Sequence, residues 1–493
     1  MLKLDEIYCE GMVFQRGKTN RIAGRADDGQ IITVYFRGHK YQGRVENGRF
    51  CVEVEAGAAG GPFEMKVEAG QETLVIEEVF AGDVFLLGGQ SNMEFDLAQD
   101  DGARAVRPLD NVHLYTVNPV EYEKEGQKFP KFEPARWHKA VPAALEKFSA
   151  IGYYLAARLQ SFAPLQNVPL GLVCCAKGGT SASCWMDEKD LKDDLDLEER
   201  FYLRYWQDIQ EQSEEEEDRR RAEFFAVCEN YQKKLAEYAA AHPELALHEV
   251  KDIIGHTPWP QPKGKKDFGR PCALYHLMLG EISDYTFRAV VYYQGEEDSN
   301  NADLYEKLLM HLIETWRREF HDPRLPFYIV QLPRYAERKN DRWWQIRKAQ
   351  ADTAAKMNGV HLIVSIDHGE QYNIHPTDKS ILGGRIGQVI GQYEYGQPPV
   401  NFPKVISARK EGDGIVLEFS APVTVLPNSQ NFAPAEENSR LVQTGQTDFP
   451  LYYAWENYPE VFLFSPEGLP AAPFCIQQEF AADQNRNSSR HPD

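Results

Sequence analysis

The sequence predicts an α/β protein: a parallel sheet covered on both faces by helices, set between two β-rich segments. Three observations predict it. From residue 82 to about 400, short apolar runs alternate with helical stretches, the rhythm of a parallel sheet with crossover helices. Before residue 80 and after residue 400 that rhythm gives way to short strands separated by turns. The chain has 493 residues, longer than one ordinary domain, so several are expected.

Residues 1–80 read as a β-sandwich-like domain, with strand runs at 31–36, 50–54 and 63–67 separated by Gly- and Ala-rich loops. Residues 81–400 carry the alternation. Buried-strand candidates lie at 84–87, 112–117, 169–175, 289–293, 327–331 and 361–366, with helices at 150–159 and 304–320. Residues 187–265 interrupt it. There an acidic run, 214–218, precedes Phe224, Val227, Cys228, Tyr231, Leu235 and Tyr238 at helical spacing. This predicts a helical hairpin inserted over the sheet, its acidic run a solvated face. Residues 401–483 read as β-rich, with a hairpin about 411–414 and strands at 452–455 and 460–464. The polar tail 484–493 is expected to be disordered.

A net charge of −21 argues against nucleic acid or an anionic membrane as partner. No apolar run is long enough to span a bilayer. Residues 1–7 lack the apolar core of a signal peptide, so a cytoplasmic location is expected. Eight scattered cysteines without a CxxC pair read as reduced thiols. Dispersed histidines offer no metal site, and no cofactor is expected. No heptad pattern specifies an oligomeric state.

Four strand ends carry the chemistry, as expected where parallel strands finish at their carboxyl edge. The first is Gly88-Gly89-Gln90-Ser91-Asn92-Met93-Glu94. Glycines permit a sharp strand-to-helix turn that would hold one serine exposed. The second, Lys177-Gly178-Gly179-Thr180, can aim a backbone N–H at a developing oxyanion. The third, Gln294-Gly295-Glu296-Glu297-Asp298, offers Gln294 as a carboxamide donor, with Glu296 to orient it or to bind substrate hydroxyls. The fourth runs from Asp367 to Lys379 and holds His375, the preferred base for a serine at neutral pH.

Together these blocks resemble the sialate O-acetylesterase family of the SGNH hydrolase superfamily. The likeness continues through Gly11–Gly17, Lys147–Tyr153, Arg270-Pro271, Ile346–Gln350, Tyr453-Ala454-Trp455 and Glu467–Ala471, in order along nearly the whole chain. The resemblance implies a flavodoxin-like three-layer α/β/α core and cofactor-free hydrolysis of O-acetyl esters on sugars. It implies Ser91 as nucleophile and His375 as general base. The N–H groups of Ser91 and of Gly178 or Gly179 would form the oxyanion hole, with Gln294 as a side-chain donor. Gln90, Asn92, Glu296 and Arg347 are expected at the substrate.

Three departures from the family pattern bear on the site. The position three before His375, where an aspartate partner is usual, is Tyr372; Asp367 is favoured to orient the histidine, with Glu370 or a backbone carbonyl as alternatives. Asp298 stands near the usual block-III asparagine and cannot donate when ionised. Lys177 replaces a common tryptophan, and a cation there would favour an anionic sugar such as sialic acid. The expected function is a serine esterase acting on acetylated sialic acid or a related sugar. The alternatives are an acetylesterase of plant oligo- or polysaccharide, and a decayed carbohydrate-binding protein.

Overall fold

The computed structural model describes residues 1–245, 247–336, 342–412, 414–427, 432–434, 440–444 and 448–480. One 18-residue strand, Glu72–Gly89, organises the molecule. Its start is largely exposed, and from Val79 onward every residue is buried, as a central strand covered on both faces must be. The first half pairs antiparallel with Gly60–Ala69. The second half pairs parallel with Leu170–Ala176 on one side and Ala289–Tyr293 on the other. The sequence break at residue 80 therefore falls inside a continuous strand shared by the N-terminal β region and the parallel sheet.

Across the parallel part the order is Leu109–Thr116, Leu170–Ala176, Glu72–Gly89, Ala289–Tyr293, Phe327–Val330 and Val360–Ile363, with His138–Ala140 antiparallel at one edge. From Glu72–Gly89 the chain first builds strands to one side. It then crosses to Ala289–Tyr293 and builds to the other. That reversal opens a crevice at the carboxyl ends of these two strands, the place where doubly wound sheets bind ligands.

Helices pack beside the sheet in pairs. Ala150–Gln160 lies against Ser380–Tyr395. The approach is close because glycines face it: a Cβ on Gly383 would lie 2.6 Å from the Tyr154 Cβ, and one on Gly387 2.7 Å from the Arg158 Cβ. Ala302–Glu319 lies against Trp343–Lys356.

The insertion is led by a 28-residue helix, Glu214–Ala241, whose first turn is capped by Ser213 Oγ accepting the Glu216 N–H at 3.2 Å. Leu247–Ile254 then packs back on it. The acidic start is not simply solvated. Glu214 pairs with Lys124 at 2.5 Å and Lys266 at 3.0 Å, and Glu217 accepts the Lys266 N–H at 2.5 Å. Arg221 donates to Glu121 at 2.9 Å. Spaced three or four apart, these residues share one helix face, and that face fastens the insertion to the loop that returns the chain to the core.

The C-terminal segment pairs Val405–Glu411 with Gly414–Phe419 antiparallel, at the expected hairpin. Its own core, including Leu417, Phe419, Leu463 and Phe474, takes in Val364 and Ile366 just past the last parallel strand. Residues 484–493, expected to be disordered, lie outside the described residues. All eight cysteines are unpaired. Among the described residues no helix is long and apolar enough to cross a membrane.

Candidate active site

The central strand ends where only glycine fits. Gly89 has φ +134°, and a Cβ there would lie 2.0 Å from the Tyr293 carbonyl oxygen. The Gln90 N–H donates to that carbonyl at 3.0 Å. Ser91–Glu94 then form one helical turn, with the Met93 and Glu94 N–H groups returning to the Gln90 carbonyl at 2.8 and 3.0 Å. Ser91 is left partly exposed above the sheet edge. His375 Nε2 stands 2.8 Å from Ser91 Oγ, a hydrogen bond between residues 284 apart in sequence.

The loop carrying His375 is held by its backbone. Asn373 Oδ1 accepts the His375 N–H at 3.1 Å, and Glu370 accepts from Asn373 Nδ2 at 3.1 Å and from the Thr377 N–H at 2.7 Å. Asn92 Nδ2 donates to the Ile374 carbonyl at 3.0 Å. Asp367 is placed differently from the expectation. Both its oxygens accept from Arg385 at 2.8 Å, and it does not line the cleft. Burial works to raise the Asp367 pKa, but the guanidinium prevails and holds it below the ordinary value. The physical reason is Arg385 itself, buried in the helix that follows. A buried cation needs a carboxylate.

Asn92 is wholly buried rather than presented to substrate. Its Nδ2 also donates to Glu296 at 2.7 Å, and its Oδ1 accepts from Lys379 Nζ at 2.6 Å. One amide thus ties the serine turn, the acidic loop and the histidine loop together. Burial pulls the Lys379 amine down to about 7, against the attraction of Glu296 and Asp100. Burial raises the Glu296 pKa as well, and Glu296 Oε2 has no hydrogen-bond partner among the described residues. Lys379 stands in the histidine block, but nothing in the sequence marks it as buried.

The expected oxyanion donors separate. The Gly178 N–H donates to Glu94 Oε2 at 2.7 Å. The N–H groups of Ser91 and Gly179 have no acceptor among the described residues. Gln294 does not present a free carboxamide: its Nε2 donates to Asp298 at 2.7 Å and to the Thr180 carbonyl at 3.1 Å. Asp298 also accepts from Ser181 Oγ at 2.6 Å and the Ala182 N–H at 2.9 Å. Gln294 and Asp298 are therefore a bracket between two loops. Arg347 is also placed away from substrate: it is fully buried, and its guanidinium donates to the carbonyls of Pro333, Ala454 and Glu456. Lys177 lies with its Nζ 4.8 Å from the Phe268 ring centroid and does not line the cleft.

The cleft has a volume of about 500 Å³. Gln90, Ser91, Gly178, Gly179, Glu296, Asn373 and His375 form its sheet side. Lys251, His256, Thr257 and Trp259 of the insertion form the opposite side. The Trp259 ring lies so close over Gly179 that a Cβ there would be 2.4 Å from it. The rim residues of the insertion carried no motif and went unrecognised in the sequence.

This geometry can be set beside known proteins. The model of the family described as carbohydrate esterase, sialic acid-specific acetylesterase, matches residues 81–221 and 262–390, more than half of the chain. The chain belongs to this family. It is a carbohydrate esterase, and the matched span holds Ser91, Gly178, Gly179, Gln294 and His375. The esterase is 24% identical to the sialate O-acetylesterase of Mus musculus, over 85% of this chain and 82% of that protein. It is 24% identical to the one from Homo sapiens, over 86% and 81%. Its fold is similar to that of XAC1771, a carbohydrate acetylesterase from Xanthomonas citri, with a TM-score of 0.72 and 24% identity, over 97% of this chain and 100% of that one. Residues 222–261, which carry Trp259, fall outside the family match.

Proposed function

We propose that this carbohydrate esterase removes O-acetyl groups from sialic acid or a related acetylated sugar by a serine mechanism, on a three-layer α/β/α SGNH core. The observation that carries the reading is the 2.8 Å contact of His375 Nε2 with Ser91 Oγ at the mouth of the cleft. The relatives named sialate O-acetylesterase support the substrate.

His375 Nε2 takes the Oγ proton as Ser91 attacks the acetyl carbonyl carbon. The first-turn N–H of Ser91 and the N–H of Gly179 receive the oxyanion, both being without acceptors among the described residues. The imidazolium returns the proton to the sugar oxygen as the C–O bond breaks, leaving acetyl-Ser91. A water, deprotonated by the same imidazole, then releases acetate. Asn92 and Lys379 act through the two loops they join, as positioning residues. Glu296, whose Oε1 accepts from Asn92 at the cleft wall, helps them hold the serine turn.

The test is acetate release from 9-O-acetyl sialic acid and from acetylated xylan, side by side, with S91A as control. The reading requires sialic acid to be the better substrate and S91A to be inactive. Preference for xylan moves the substrate to plant polysaccharide; full activity in S91A overturns the serine mechanism.

A further inference from the structure

A second cavity, about 470 Å³, adjoins the catalytic cleft. Three residues line both: Gly179, Trp259 and Glu297. Trp259 therefore stands as a partition with the proposed acetyl site on one side and the second cavity on the other. Trp259 is 39% exposed, which leaves part of its apolar surface open to an external ligand.

The second cavity is equipped for polar recognition. Arg204 lines it and is exposed, and its guanidinium has no ion-pair or hydrogen-bond partner among the described residues. Its neighbours are otherwise engaged. Arg200 donates to Asn301 at 3.2 Å, Lys263 pairs with Asp208 at 2.6 Å, and Asp267 accepts from Tyr205 at 2.7 Å and from the Gly269 N–H at 2.7 Å. A guanidinium donor and an aromatic face lining one cavity suit a pyranose ring, which offers an apolar C–H face and a rim of hydroxyls. The volume falls in the range of about 300–1,000 Å³ usual for small-molecule sites.

We propose that this cavity is a second sugar subsite. It binds the pyranose unit next to the acetylated residue, with Trp259 as platform and Arg204 as hydroxyl donor, so that the enzyme acts on oligosaccharides in preference to free monosaccharides. The proposal rests on the acetyl-sugar reading of the first site. Trp259 lies in the insertion, outside the family match, while Arg204 lies within it.

The experiment has two arms. In the first, kcat/KM is measured on p-nitrophenyl acetate, on an O-acetylated monosaccharide and on a trisaccharide ending in that residue, for wild type, R204A and W259F. Wild type is expected to prefer the trisaccharide by about tenfold, the worth of one charge-assisted hydrogen bond. R204A is expected to remove most of that preference through KM. In the second, the deacetylated trisaccharide is titrated into S91A and into S91A/R204A, and the double variant should bind about tenfold more weakly. Equal kcat/KM for monosaccharide and trisaccharide in wild type, or binding indifferent to Arg204, overturns the subsite even while acetate release continues. Arg204-dependent binding without acetate release from any sugar sustains the subsite and overturns the catalytic reading instead.

Discussion

On the sheet side of the cleft, Ser91, Gly178 and His375 stand on loops after strands, held by hydrogen bonds that these loops make to Tyr293, Glu94, Asn92 and Glu370. On the insertion side, Lys251, His256 and Trp259 stand on a segment joined to the core through the charged face of one helix. The sheet side lies within the family match and the insertion rim outside it. The contrast teaches a division of labour: geometry needed to a fraction of an ångström is built on strands, while the surface that meets the rest of a substrate is built on an appended helical segment.

The largest effect that could break this contrast is at the sheet side. H375A should lower kcat on p-nitrophenyl acetate by about a thousandfold, with the melting temperature little changed. A loss of tenfold or less would move the general base elsewhere.

Next comes Lys379. Replacing it by Met leaves the Asn92 Oδ1 without its donor, and kcat should fall by about tenfold or more with little change in KM. A pH signature accompanies this loss. Burial lowers the folded-state pKa of Lys379 from 10.5 to about 7, so between those values the unfolded chain binds a proton that the folded chain does not. Stability contributed at this site therefore rises with pH across that window and falls as pH drops toward 7. K379M lacks this slope, so its melting temperature relative to wild type should decline as pH rises from 7 to 10. A constant difference would place Lys379 in a charged pair throughout.

Gln294 sharpens the comparison within the sheet side. As a bracket, its loss in Q294L should cost about 1–3 kcal/mol of stability by leaving buried groups unpaired. Denaturant unfolding measures this. A hundredfold loss of kcat with unchanged stability would instead make Gln294 an oxyanion donor. The smallest effect is expected at the rim: K251M should change kcat/KM on p-nitrophenyl acetate by about twofold or less. A larger loss would mean that the insertion takes part in the chemistry.

What the sequence made legible was local. Strand runs at 289–293 and 327–331 match the strands Ala289–Tyr293 and Phe327–Val330 because burial on both faces leaves an unbroken apolar run. The glycine turn before Ser91 was legible because one backbone conformation excludes every other residue. What escaped was the pairing of side chains across long separations. Asp367 is the nearest upstream aspartate in the histidine block, yet Arg385, 18 residues on, takes both its oxygens. Arg347 meets carbonyls more than 100 residues away. Gln294 faces a carboxylate four residues along the chain, which spacing alone cannot distinguish from facing a substrate. Trp259 carries no motif at all, because an aromatic wall needs only a position in space.

The central claim is that Ser91 is the acyl acceptor and His375 its base. The direct measurement is labelling with a fluorophosphonate probe, followed by peptide mass spectrometry on wild type, S91A and H375A. The account predicts a single adduct on Ser91 in wild type, none in S91A, and labelling slowed by about a hundredfold or more in H375A. An adduct on another residue, or an unlabelled Ser91 in enzyme that still releases acetate, would contradict it.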